Sequence, residues 1–143
     1  MPVIGSPPAV QTSKKQITYK ESVWKVHRFS IFCGEHVADV EVLKMTGSLF
    51  IWLGSPGQKE FNELALGMPA VLSEKGACLS EALSTNLLGC INNVESSGLA
   101  NKLAHKLNKP LYISCNVNNL NRFTTRALES GLLLEINENP KYF

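Results

Sequence analysis

The chain has 143 residues, of which 44% are apolar, and this is enough to build the core of one ordinary domain. Its 14 basic and 12 acidic side chains leave a net charge of +2, which is too weak to attract a nucleic acid strongly. The longest unbroken apolar run, residues 49–53, is far shorter than the roughly 20 residues of a membrane-spanning helix. We therefore expect no nucleic-acid partner and no membrane span.

The N-terminal segment, residues 1–21, is rich in Pro, Ser, Thr, Lys and Gln and has no apolar period. Such a segment cannot recover the entropy lost on ordering, so we predict a flexible tail followed by one domain at residues 22–143. The tail lacks the basic start and apolar run of a secretion signal, and the cysteines form no CxxC pair. We expect a cytoplasmic protein, and the nucleus stays open as a second location.

Six segments show the alternating or continuous apolar pattern of β-strands between turn residues. They are residues 22–33, 37–45, 48–54, 61–68, 82–89 and 111–117. The fourth segment also fits a helix, and both interpretations stay open.

Two helical patterns occur in the C-terminal half of the chain. The first, residues 98–109, has leucines at every fourth position, which form one apolar stripe. The second covers residues 120–137, and the side chains predicted to face inward are Leu120, Phe123, Ala127, Leu128, Leu132 and Ile136. The predicted fold is α/β in composition and of the α+β type, a six-stranded antiparallel sheet with two helices.

The third predicted strand, residues 48–54, is apolar at consecutive positions, so both of its faces need cover. Two helices can cover one face of a six-stranded sheet, and the other face then meets a second sheet or is covered within the monomer. The tail, the loop at residues 69–79 or a misassigned helix would supply that internal cover. We favour a protein partner, and the predicted partner interface consists of Val42, Leu49, Phe50, Ile51, Trp52 and Leu53.

The chain has no recognisable catalytic or metal-binding motif. Its three histidines lie in no nucleophile-activating pattern, and no GxSxG sequence occurs. Cys33 and His36 have the spacing of two zinc ligands, but a structural zinc site needs four ligands and no second pair follows. We therefore predict no catalytic, metal-binding or cofactor-binding residue and no enzyme activity. The remaining enzyme hypothesis is a thiol-dependent hydrolase that uses Cys33, Cys90 or Cys115.

Three segments carry a family resemblance: LKMTGSLFIWLG at residues 43–54, STNLLG at 84–89 and SGLANKLAHKLNK at 97–109. In that order they resemble the proteasome assembly chaperone 4 family, over residues 25–143. The resemblance implies a six-stranded antiparallel sheet with two helices that pairs, sheet against sheet, with the related proteasome assembly chaperone 3. It also implies a non-catalytic chaperone that binds an early intermediate of the 20S core, promotes assembly of the α-subunit ring and leaves before maturation. No nucleotide or metal is implied.

The residues predicted to contact a proteasome α-subunit come from a row of charge and from the C-terminal sequence. The lysines along the first helix form a positive row that could contact an acidic partner, although such a row is also the ordinary solvated side of a helix. The last three residues are similar to the hydrophobic-Tyr-any tail of other proteasome-binding proteins, except that a lysine takes the first position. The candidate α-subunit contacts are Lys102, Lys106, Lys109, Tyr142 and Phe143. A generic adaptor on another complex stays open as an alternative.

Overall fold

A computed structural model of the chain describes residues 16–90 and 94–143, with only the backbone of residues 78–80. These residues form eight strands, two α-helices and a final 3-10 turn. The strands are β1 (Val26–Cys33), β2 (His36–Met45), β3 (Ser48–Gly54), β4 (Leu64–Met68), β5 (Val71–Leu72), β6 (Cys78–Ser80), β7 (Leu83–Leu88) and β8 (Leu111–Asn116). The helices are α1 (Glu95–Leu107) and α2 (Arg122–Glu138), and the 3-10 turn is Pro140–Tyr142.

Much of the predicted tail cannot be compared with the structure, because residues 1–15 lie outside the described residues. The described residues 16–25 contain no helix or strand and are exposed. The first strand begins at Val26, four residues later than the pattern predicts. The tail and the domain boundary therefore stay predictions.

The six predicted strands are confirmed and form one sheet in the order β1-β2-β3-β8-β4-β7, while β5 and β6 pair with each other separately. The ambiguous fourth segment is the strand β4. Strands β1, β2 and β3 form a meander with two-residue turns, which contain Gly34 at φ 70° and Gly47 at φ 76°. Glycine suits both turns because it has no Cβ to oppose a positive φ.

One part of the fold prediction is corrected, because the sheet is mixed and not antiparallel throughout. Strands β3 and β8 run parallel, with Leu49 opposite Leu111 and Leu53 opposite Cys115. Parallel neighbours need a crossover connection, and here β4, β7 and α1 supply it between Gly54 and Leu111. The alternation of apolar residues has a period of two in either direction, so it does not predict the direction of pairing.

Both helices pack on the same face of the sheet. Helix α1 lies against β4, β8 and β7, and α2 lies against β1. The buried strand residues point to this face, since Val42, Ile51, Ile113 and Ala65 oppose one another across four adjacent strands. The domain core therefore lies between the sheet and the helical layer.

The row of α2 side chains that face the core differs from the prediction in the first turn of the helix. Phe123 is 82% exposed, and the buried side chains are Thr124, Leu128, Leu132 and Ile136. These four recur every fourth residue, and Phe123 is displaced from their stripe by about 100° around the helix axis. Asn121 caps the helix by accepting a hydrogen bond from the Thr124 backbone N–H at 2.9 Å. Neither helix of the described chain is long and apolar enough to cross a membrane.

Candidate interaction surface

The face of the sheet opposite the helices, which we call the open face, carries a second row of side chains. Residues opposite one another in adjacent strands share a face, so the pairing register identifies the members of this row. They are Val26, Leu43, Phe50, Tyr112, Leu66 and Thr85, in the order β1, β2, β3, β8, β4 and β7. Among the described residues, no helix packs on this face. Most of the row is apolar, and the described residues leave part of this face exposed.

The predicted partner interface divides between the two faces. Phe50 and Trp52 lie on the open face and are half-buried. The other four residues face the helices and are no more than 1% exposed; they are Val42, Leu49, Ile51 and Leu53. Those four are corrected to core residues, because successive side chains of a strand point to opposite faces and the helices cover one of them. The interface prediction is thereby narrowed to Phe50 and Trp52.

A short segment of the β3–β4 connection, residues 59–63, crosses one end of the open face, and we call it the strap. Its contacts move from β2 to β3 to β8 as the chain advances. Lys59 Nζ lies 3.2 Å from Glu41 Oε1, and the indole N–H of Trp52 donates to the Glu60 carbonyl at 2.8 Å. The ring of Phe61 lies 6.1 Å from the ring of Phe50. Among the described residues, the strap is therefore the segment that covers Trp52.

The far end of the strap is held by buried polar side chains of β8. Asn116 Oδ1 accepts from the Asn62 N–H at 2.7 Å, and the Ser114 hydroxyl donates to the Glu63 carbonyl. The Asn116 amide also donates to Ser114 Oγ at 2.8 Å. Buried polar groups are costly unless they are hydrogen-bonded, so this network requires the strap to stay in place.

The end of the open face near β1 and β2 is charged. Arg28 Nε lies 3.0 Å from Glu41 Oε1, and the Ser30 hydroxyl donates to Asp39 at 3.0 Å. Burial by itself raises the pKa of the Glu41 carboxyl, but hydrogen bonds and positive charge from Lys59 and Arg28 outweigh that effect and lower it. Glu41 therefore stays ionised and keeps both cations on the open face.

The end near β4 and β7, which we call the apolar half, is hydrophobic and solvent-exposed. Met68 and Leu83 are cross-strand partners with exposed side chains, at 44% and 63%. Leu66 and Tyr112 continue the surface towards β3 as half-buried residues, and Phe61 borders it from the strap. A contiguous apolar surface of this kind is typical of a protein interaction site.

Of the lysines predicted to contact an α-subunit, Lys102 and Lys106 lie on α1, on the opposite side of the domain, and Lys109 follows the end of that helix. Lys102 and Lys106 are exposed and Lys109 is half-buried. Lys102 Nζ donates to Glu129 Oε2 of α2 at 2.8 Å, so one of the three positive charges is already paired. The row is accessible, and its contact with a partner stays a prediction.

The C-terminal candidates are placed differently from the prediction. Tyr142 is half-buried against His27, and Phe143 is only 4% exposed. A docking tail must be free to enter a pocket on another protein, whereas Phe143 belongs to the core of its own domain. Phe143 is therefore corrected from a partner contact to a core residue.

Two of the three cysteines of the thiol-hydrolase hypothesis lie in surroundings that disfavour a thiolate nucleophile. Cys33 and Cys115 are buried, and Cys90 is exposed. Burial raises the pKa of the Cys33 thiol and raises that of Cys115 to about 12, so both are protonated at neutral pH. In the part of the chain that the structure describes, no three His, Cys, Asp or Glu side chains are grouped to hold a metal ion.

Residues 38–117, more than half of the chain, match the family model described as proteasome assembly chaperone 4. The chain belongs to the proteasome assembly chaperone 4 family. A relative from Homo sapiens with that name is 30% identical over 118 residues, which cover 82% of this chain and 89% of the relative. The Mus musculus relative is 29% identical over the same shares. The family resemblance of the three sequence segments is thus confirmed, and the family is one of chaperones.

A solved structure supports the fold. The chain is similar to a protein in the crystal structure of a novel chaperone complex for yeast 20S proteasome assembly, with a TM-score of 0.51 and 11% identity. The similarity covers 84% of this chain and 94% of the other. The segment that matches the family model runs from β2 to the end of β8, and so includes the strap and most of the open face.

Proposed function

We propose that the chain is a non-catalytic chaperone that pairs with proteasome assembly chaperone 3 through the open face. The pair promotes assembly of the 20S proteasome α-ring and dissociates before the proteasome matures. We place this activity in the cytoplasm, and the nucleus is the alternative location. The observation that carries the proposal is the apolar half of the open face, where Met68 and Leu83 are exposed beside Leu66 and Tyr112.

Sheet-against-sheet packing suits this surface. Two sheets pack face to face about 10 Å apart with interdigitated apolar side chains, which needs a face that no helix covers. The open face has that form, and the charged end with Arg28 and Glu41 would lie at the rim, where polar residues are typical of interfaces. The yeast structure, whose name describes a chaperone complex, supports a partner of the same kind.

An α-subunit would then contact a different surface, because the sister chaperone occupies the open face. The accessible alternative is the helical layer, where Lys102 and Lys106 are exposed on α1. An acidic patch on the α-subunit would complement these charges and would speed association more than it would add affinity.

The pairing can be tested with two matched leucine variants. Leu83, on the open face, and Leu134, on α2, are 63% and 58% exposed, so Leu83→Glu and Leu134→Glu are similar changes on opposite layers. We expect Leu83→Glu to weaken pairing, and its combination with Met68→Glu to weaken pairing by about 100-fold, because the charges would be buried in an apolar contact. Leu134→Glu should pair like the unmodified chain in size-exclusion chromatography and calorimetry at micromolar concentration. The proposal fails if the two chaperones stay monomeric, or if both sets of variants behave alike.

The contact with the α-ring needs a separate experiment in cells. We expect tagged chain to co-purify with chaperone 3 and proteasome α-subunits, and recovery of an unrelated complex would instead indicate a general adaptor. Lys102→Glu with Lys106→Glu should reduce α-subunit recovery while chaperone 3 recovery is kept. Lys75→Glu, an exposed lysine of the β5–β6 connection, is the control. Equal recovery of α-subunits by all variants would remove the helical layer from the proposal.

A further inference from the structure

Phe61 is the exposed apolar residue of an otherwise anchored segment. The residues on either side of it, Glu60 and Asn62, are hydrogen-bonded to the sheet through their backbones. The Phe61 side chain itself is 48% exposed, and its ring stacks on Phe50 with 20° between the two planes. The strap therefore presents an aromatic ring at the border of the apolar half, in a fixed backbone position.

The hydrogen bond that fixes the strap backbone next to Phe61 is donated by Trp52. The indole N–H donates to the Glu60 carbonyl at 2.8 Å, and this carbonyl belongs to the peptide group that joins Glu60 to Phe61. The indole ring lies over Gly54, where a Cβ would overlap the ring atoms. Gly54 thus leaves the space that lets the indole reach the strap.

We propose that Phe61 contacts the sister chaperone directly, and that Trp52 is a positioning residue which acts through the strap to hold Phe61 in place. This inference rests on the proposed pairing through the open face. The occupant is the apolar sheet face of that chaperone, because Phe61 and Phe50 are continuous with the apolar half. Half-exposed aromatic rings on a rigid backbone are efficient anchors, since little conformational entropy is lost when they are buried.

A double-mutant cycle on the dissociation constant of the pair tests the assignment. We expect Phe61→Ala to weaken pairing by about tenfold or more, as is common for a central aromatic contact. Trp52→Phe keeps an aromatic ring but lacks the donor, and should weaken pairing by about fivefold. In the Phe61→Ala background, Trp52→Phe should have almost no further effect, because the residue through which Trp52 acts is gone.

Gly54→Ala is a second test of the Trp52 contact, because it disturbs the position of the indole without changing Trp52 itself. The added methyl group displaces the indole, so pairing should weaken as in Trp52→Phe, and again not in the Phe61→Ala background. A general loss of folding would instead lower pairing equally in both backgrounds. Thermal melting of each variant alone gives the folded fraction by which dissociation constants are corrected.

Two results would overturn the inference. If Phe61→Ala pairs like the unmodified chain, Phe61 is not a contact; if the effects of Phe61→Ala and Trp52→Phe multiply, Trp52 does not act through Phe61. In either case the Met68→Glu and Leu83→Glu variant still reports on the proposed function. If that variant loses pairing, the proposed function is supported even though the Phe61 inference fails. If it pairs normally, the proposed function and the Phe61 inference are both wrong.

Discussion

The ring of Tyr142 stacks on the imidazole of His27, with centroids 3.9 Å apart and planes only 4° from parallel. Glu135 of α2 lies 2.8 Å from the same imidazole, and Lys44 donates to the Lys141 carbonyl at 3.1 Å. The C-terminal turn thus contacts β1 through His27 and β2 through Lys44, and Glu135 links the same imidazole to α2. It closes the end of the core, and Phe143 is buried behind it.

Phe143→Ala should therefore lower the free energy of unfolding by about 3 kcal/mol, because a large side chain is removed from a packed site. Urea denaturation followed by circular dichroism measures the change. Leu134→Ala, at an exposed position of α2, should stay within about 0.5 kcal/mol of the unmodified chain. Equal stability of the two variants would mean that the C-terminal turn is detached in solution.

Alanine substitutions at two glycines, Gly67 beside α1 and Gly98 within it, should change the stability of the domain in opposite directions. A Cβ at Gly67 of β4 would overlap the Ala100 carbonyl, so Gly67→Ala should destabilise the domain by about 1–3 kcal/mol. Gly98 lies inside α1 with open space around it, and Gly98→Ala should stabilise by about 0.5–1 kcal/mol. The shifts in urea midpoint should have opposite signs. A stabilising Gly67→Ala would contradict the close packing of α1 on β4.

Substitution of Trp52, on the open face, can be compared with the same substitution of Trp24, which lies before β1. The Trp52 indole N–H donates to the Glu60 carbonyl, so a carboxylate in its place would leave that carbonyl without its donor and would remove the half-buried ring beneath the strap. We expect Trp52→Glu to lower the free energy of unfolding by about 3 kcal/mol, and to disrupt pairing. Trp24→Glu, at a mainly exposed position before β1, should change stability by less than about 0.5 kcal/mol. Tryptophan fluorescence during denaturation follows both variants.

Thiol reactivity should separate the buried Cys33 and Cys115 from the exposed Cys90. In the native protein we expect Cys90 to react with a maleimide, while Cys33 and Cys115 react only after unfolding. Mass spectrometry of the labelled peptides provides the comparison. Fast labelling of Cys115 at neutral pH would contradict its burial and would restore the thiol-hydrolase hypothesis.

The same burial predicts a pH dependence of stability. The pKa of Cys115 rises from an ordinary value of 9.0 in the unfolded chain to about 12 in the folded chain, so the thiol stays protonated longer in the native state. Its contribution to stability is complete below about pH 9 and is lost as the pH rises from there towards 12. The unmodified chain should lose more stability than Cys115→Ala between pH 8 and pH 10, as measured by urea denaturation. Parallel curves for the two proteins would contradict the assigned shift.

Local patterns predicted most of the secondary structure. The six main strands have alternating apolar residues or apolar runs between turn residues, and the leucines of α1 recur with the helical period. The residues of each segment therefore predict whether it forms a strand or a helix. The same segments carry the family match. Phe123 is the exception within α2, because the point at which α2 begins to contact β1 depends on the sheet and not on the period.

The candidate site could be predicted only in part. The two-sided apolarity of residues 48–54 indicated that one face of the sheet needs a partner, and Phe50 does lie on the open face. Phe61, Met68 and Leu83 were missed, because their exposure depends on strands and a strap that come together from separate parts of the chain. The Trp52, Glu60 and Phe61 arrangement had no local signal, since its hydrogen bond uses a backbone carbonyl that every residue possesses.

The sequence by itself determined which segments are strands and helices, which side chains are apolar, and to which family the chain belongs. Tertiary structure alone decided that β3 and β8 are parallel, that both helices cover one face, and that Phe143 lies inside the core while Phe61 lies outside it. The physical reason is the range of the interactions. Periodicity reports on neighbours a few residues apart, whereas the choice of face and partner is made by packing between segments that are distant in sequence.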